Sequence, residues 1–136
     1  LKIKTILLFF CALPFVVSSQ QNDTPKTAIG EKGMIKVTIL YPNEEGKTFD
    51  MAYYSSKHMP LVATLFGDAL KGYEIDEGMS GRTAEEPLPF VAIGYLYFKS
   101  LDDYNNAFGQ NGVQILNDIP NYTNIQPVIQ ISKVIQ

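Results

Sequence analysis

The sequence predicts an α+β fold of the ferredoxin-like kind, β-α-β-β-α-β, with a four-stranded antiparallel sheet and two helices on one face. Three observations predict it. Four short stretches, 34–41, 70–77, 90–98 and 125–135, are alternating or continuously apolar, as strands are. Two longer stretches, after the first and third of these, carry apolar residues at three- and four-residue spacing. A chain of 136 residues, 46% hydrophobic and 18% charged, has the size and composition of one globular domain.

Residues 1–19 stand apart from that domain. Lys2 and Lys4 precede an apolar run from Ile6 to Val17, and the small residues Ser18 and Ser19 follow. That is the three-part pattern of a secretory signal peptide, cleaved near Ser19. The run is too short for a stable membrane anchor, which needs about 20 apolar residues. A secreted or periplasmic location is expected. Without Lys2 and Lys4, Lys+Arg falls from 11 to 9 against 14 Asp+Glu, a net charge of −5. No basic excess remains to neutralise phosphates, so nucleic acid is not an expected partner. The single cysteine, Cys11, leaves with the signal. Thiol chemistry and cysteine-held clusters leave with it, and one histidine is too few for a Cys/His zinc site.

Residues 20–33 are polar, aperiodic and contain Pro25, Gly30 and Gly33, the composition of a flexible leader. The domain is expected over 34–136. Its first strand, Met34–Tyr41, puts Ile35, Val37, Ile39 and Tyr41 on one face and Lys36 and Thr38 on the other. The first helix spans 50–67. Met51, Tyr54, His58, Leu61 or Val62, and Leu65 form its stripe, Asp50 or Thr48 caps it, and Gly67 ends it. Pro60 lacks an amide hydrogen and crowds the Ser56 carbonyl, which predicts a kink or break near 57–59 with Pro60 in the following first turn.

Leu70–Glu77 is the second strand, and 78–89 is a loop rich in Gly, Pro and charge. Phe90–Phe98 is apolar on both faces, as a strand covered on both sides is. Ser100 and Asp103 resemble a capping box for the second helix. Its stripe is Leu101, Tyr104 and Phe108, broken at Gly109 and Gly112, then resumed by Val113, Leu116 and Ile119 until Pro120. The last strand, 125–135, carries Pro127 near its start, where an edge tolerates it. Two helices cover only one sheet face. A second copy packed sheet to sheet would cover the other, so a homodimer is expected.

Three motifs carry a resemblance. Tyr53-Tyr54-Ser55-Ser56-Lys57-His58-Met59-Pro60-Leu61-Val62 resembles the first-helix motif of the EthD family. Residues 90–100 resemble its third strand, and Asp118–Thr123 with Gln126-Pro127 resembles the approach to its last strand. The likeness spans about residues 34–135. It implies a dimeric α+β barrel and, by the label such proteins carry, an oxidoreductase; no cofactor is expected. Family members are usually cytoplasmic and commonly have His where this chain has Tyr95.

The candidate catalytic residue is His58, the one side chain poised to titrate near neutral pH. On the apolar stripe it faces the sheet. There it would donate to the freed Ser56 carbonyl and offer its second nitrogen to a cavity, as acid or base on a small apolar molecule. The alternative is a core histidine that ties the kink. Tyr54, Tyr95, Asn121 and Tyr122 are candidate ligand contacts. Each has a structural alternative, as core tyrosines or turn residues. No metal site is expected. Besides catalysis, two uses stay open: a carrier without turnover, and haem binding through His58 as axial ligand.

Overall fold

The computed structural model describes residues 29–136. The expected signal segment, 1–19, and positions 20–28 of the expected leader lie outside the described residues. The elements run β1 (Ile35–Pro42), α1 (Met51–Tyr53), a π-helical turn (Tyr54–His58), α2 (Met59–Phe66), β2 (Leu70–Glu77), β3 (Phe90–Phe98), α3 (Leu101–Asp118) and β4 (Val128–Lys133). Short 3₁₀ turns follow α2 (Gly67–Ala69) and α3 (Ile119–Asn121). The sheet order is β2-β3-β1-β4, with every neighbouring pair antiparallel. This is the expected ferredoxin-like α+β arrangement.

Cross-strand partners share a face, so register assigns the faces. Val37 opposes Leu96 on the helix-covered side, where Val37, Ala92, Leu96 and Phe98 form the core with Met59, Val62 and Phe66. Thr38 opposes Tyr95, and Tyr95 opposes Glu74, on the outer side. That outer face is more polar than β3 alone predicts. The Tyr97 hydroxyl donates to Glu74 at 2.7 Å, and Lys36 Nζ stands 5.6 Å from the centre of the Tyr95 ring. The chain near its described start also lies over this face: a Cβ on Gly72 would stand 2.6 Å from Ile29 Cδ1. Gly33 N–H donates to the Val134 carbonyl at 2.8 Å, pinning residues next to the domain.

Pro60 does not break the first helical stretch. The chain continues through one π turn, in which the Met59 amide reaches back five residues to the Tyr54 carbonyl. Serine hydroxyls supply donors around the irregularity: Ser55 Oγ to Met51 O at 2.8 Å and Ser56 Oγ to Ala52 O at 2.6 Å. Pro60 sits in the first turn of α2, as expected. Asp50 caps the start, accepting from Tyr53 N at 2.9 Å, and Gly67 ends α2 at φ +52.

The second helix is likewise unbroken at Gly109 and Gly112. The expected restart of its stripe is therefore out of phase. In one continuous helix, Tyr104, Phe108, Gly112, Ile115 and Ile119 recur on the core side. Val113 and Leu116 are 76% and 52% exposed. Gly112 is buried and lets the Phe108 ring lie against the helix, 3.0 Å from where a Cβ would be. Ser100 Oγ accepts from Asp103 N at 3.1 Å, confirming the cap. The last strand is shorter than expected, and residues 122–124 before it are tied to 48–50. Asp50 N donates to Tyr122 O at 2.8 Å, and Thr123 Oγ1 to Thr48 O at 2.7 Å.

Candidate functional site

A cavity of about 420 Å³ lies between the sheet and the helices. Its walls come from Val37 and Leu96 of the sheet, Tyr54, His58 and Phe66 of the first helical stretch, and Phe108 and Ile115 of α3. Leu116 and Ile129, 52% and 49% exposed, stand at its outer edge. No Asp, Glu, Lys or Arg is among its lining residues. The size suits a small organic ligand.

His58 is 4% exposed and lies in this wall. Its partner is not the Ser56 carbonyl. His58 Nδ1 stands 2.8 Å from Asp118 Oδ2, at the far end of α3. The π turn places His58 where this contact forms; such turns often mark functional positions. Asp118 is itself held in place. Its Oδ1 accepts from the Tyr53 hydroxyl and from Asn121 Nδ2, each at 2.9 Å. Burial would raise the Asp118 carboxyl, but the hydrogen bonds from His58, Asn121 and Tyr53 outweigh it and hold it below the usual carboxylate range. Burial lowers the His58 pKa, against the opposing pull of Asp118. The pair is a neutral imidazole beside an ionised carboxylate. An ionised carboxylate only accepts, so Nδ1 carries the proton. Nε2 makes no hydrogen bond among the described residues.

The other expected contacts fall in three different places. Tyr54 lines the cavity with its ring, stacked on His58 at 5.6 Å, but its hydroxyl is sealed away. That hydroxyl lies where a Cβ on Gly94 would be, and it has no hydrogen-bond partner. It feels Tyr41 nearby, whose hydroxyl is bonded to Tyr122 Oη at 2.7 Å. Burial first, and then the Tyr41 field, push the Tyr54 pKa far up, so it stays protonated. Tyr122 packs behind His58, 4.6 Å between ring centres, and Asn121 orients Asp118; both border a shallow surface groove rather than the cavity. Tyr95 is on the outer sheet face and does not reach the cavity.

Nothing local in the sequence pairs Asp118 with His58; the two are 60 residues apart. Tyr53 and Tyr41 were not singled out as site residues. The one available signal was the three-residue spacing of Asp118 and Asn121 around Pro120. No cluster of three or more His, Cys, Asp or Glu able to hold a metal occurs among the described residues.

The chain resembles several solved structures. An EthD-like protein from Ralstonia eutropha JMP134 is 42% identical, with TM-score 0.74 over 78% of this chain and 96% of that one. An ethyl tert-butyl ether D (EthD) family protein from Bacillus halodurans C-125 is 17% identical, with TM-score 0.57 over 74% and 97%. SnoaB, a cofactor-independent oxygenase from Streptomyces nogalater, is 9% identical, with TM-score 0.51 over 78% and 96%, a likeness of fold. No curated protein matches this chain. The EthD domain pattern matches residues 44–126, the stretch that holds the whole His58–Asp118 pair and its supports, and the chain belongs to the EthD domain family.

Proposed function

We propose that this protein binds a small, largely apolar organic molecule in the cavity between sheet and helices and transfers a proton on it without a cofactor. His58 is the acid or base. The observation that carries this reading is the 2.8 Å contact of His58 Nδ1 with an ionised Asp118 in the wall of a largely apolar cavity that no Asp, Glu, Lys or Arg lines. Nε2 takes a proton from the bound molecule. The Asp118 carboxylate stabilises the imidazolium that forms, and Nε2 returns the proton to another atom. A cofactor-independent oxygenase on the same fold is in keeping with chemistry that rests on side chains alone.

Haem fits less well. His58 could ligate iron, but the lining residues hold no lysine or arginine to meet the propionates. A carrier without turnover uses the same cavity and leaves the Asp118 pairing as a structural tie.

The protein is further proposed to work as a homodimer outside the cytoplasm. The outer sheet face, with Leu40, Ile93 and Tyr95 only half-buried, supports a second copy there. Residues 1–19 support export.

Native mass spectrometry of protein purified from its own host tests these readings together. A retained organic molecule, two subunits and an N-terminus near Gln20 are expected. His58→Ala should keep the molecule and abolish its turnover; turnover that survives overturns the catalytic role. A Soret band would restore haem.

A further inference from the structure

The hydrogen bonds that hold Asp118 decide more than its charge. Asp118 Oδ1 is occupied by two donors, Tyr53 Oη and Asn121 Nδ2, so only Oδ2 faces His58. An acceptor at that point pins the imidazole proton on Nδ1. Nε2 is then an acceptor, with no partner among the described residues. Among the buried polar side chains of the wall, Tyr41, Tyr54 and His58, only His58 is therefore free to meet a ligand; Tyr104 and Gln126, which also line the cavity, are half-buried and exposed. The Tyr54 hydroxyl is sealed against Gly94, the Tyr41 hydroxyl is bonded to Tyr122, and no charged residue lines the cavity.

We infer that the cavity selects neutral molecules that donate a hydrogen bond, an apolar body bearing one hydroxyl, and rejects the matching ethers and carboxylates. An ether oxygen brought to Nε2 sets lone pair against lone pair. A carboxylate does the same with a charge, in a wall that has no cation to receive it. The inference rests on the cavity reading proposed above, and it assigns Asp118, Tyr53 and Asn121 as positioning residues that set ligand polarity through the tautomer of His58.

Asp118→Asn makes this testable. Tyr53 and Asn121 both donate toward position 118, so they hold the amide oxygen on their side and turn the amide NH₂ toward His58. That NH₂ must donate to Nδ1, which moves the imidazole proton to Nε2. The cavity then presents a donor, and its preference inverts.

The probes are 2-naphthol, 2-methoxynaphthalene and 2-naphthoate, which share one apolar body. The chain has no Trp, so naphthyl fluorescence can be excited clear of the protein. The native protein should bind 2-naphthol about tenfold more tightly than 2-methoxynaphthalene, the discrimination of one neutral hydrogen bond, with 2-naphthoate weakest. Asp118→Asn should erase or reverse the order of the first two. Equal binding of both by the native protein refutes the inference and leaves the cavity reading standing, as does an Asp118→Asn protein that keeps the native preference. No binding of any probe removes both. Should Asp118→Asn not fold, ¹⁵N spectra of the native protein still decide, because the chain has a single histidine. The expected signal is Nδ1–H with an unprotonated Nε2; the opposite tautomer overturns the inference.

Discussion

Gly94→Ala isolates one contact in the wall of the site. A Cβ at Gly94 would overlap the Tyr54 hydroxyl, yet lie 3.5 Å from Tyr54 Cζ and from Ile39 Cδ1, which is ordinary contact. The conflict is therefore with one oxygen atom. That oxygen cannot swing aside, because the Tyr54 ring is wedged among Tyr41, Phe49, His58 and Tyr122 at centre distances of 5.5, 5.1, 5.6 and 5.2 Å. Overpacking of this kind costs about 1–3 kcal/mol. Gly94 has no positive φ, so alanine returns about 0.5–1 kcal/mol in a strand interior. The net expectation is a loss of roughly 1–2 kcal/mol.

Tyr54→Phe removes the same oxygen. Alone it should stabilise by about 1 kcal/mol or more, because a buried hydroxyl without a partner is relieved. In that background Gly94→Ala should turn neutral or stabilising. The coupling between the two sites is then about 2 kcal/mol, within the range for residues in contact. Urea denaturation of the four proteins measures it, with melting temperatures moving roughly 4 °C per kcal/mol as a second reading. Additive effects, or a neutral Gly94→Ala in the native background, would refute the reasoning.

The remaining predictions are independent of that contact. His58 is held neutral by burial, so its folded pKa lies below the usual value near 6.5. Its contribution to stability is complete above that pH and is lost as pH falls through the depressed pKa. A histidine titration midpoint at or above 6.5 by NMR would mean that the Asp118 carboxylate outweighs burial, and would overturn the neutral imidazole. Turnover should share this acid limb, since the base must be unprotonated. Gly109→Ala should stabilise by about 1 kcal/mol in thermal melts, because nothing lies within 4 Å of the added methyl in an unbroken helix; a loss would mean the helix breaks there. Sedimentation at micromolar concentration should show a dimer that Tyr95→Glu weakens, and a native monomer would remove the proposed interface.

Much of the fold was legible in the sequence. The apolar alternation of Ile35, Val37 and Ile39, the double-sided run at 90–98 and the caps at Asp50 and Ser100 each specify an element through local chemistry. The helix irregularity at Pro60 was legible as a place but not as a form. A missing amide hydrogen shows that one bond is lost; whether the chain breaks or widens into a π turn depends on the serine donors and on packing. Gly109 and Gly112 misled in the other direction. Glycine propensity is a weak penalty of about 1 kcal/mol, and burial of Phe108 and Ile115 on one continuous face exceeds it.

The sequence by itself determined the order of elements, the sheet with its two helices, and His58 as the one neutral-pH titrating group on an inward-facing stripe. Those follow from local periodicity and composition. Only the tertiary structure decided what His58 touches and which tyrosines share its cavity. Asp118 reaches it across 60 residues, because the 122–124 segment is bound to 48–50 and draws the end of α3 to the helix that carries His58. A period of two separates Tyr95 from Leu96 but does not say which one faces the helices. In a strand apolar on both sides, the packing of α2 and α3 makes that choice.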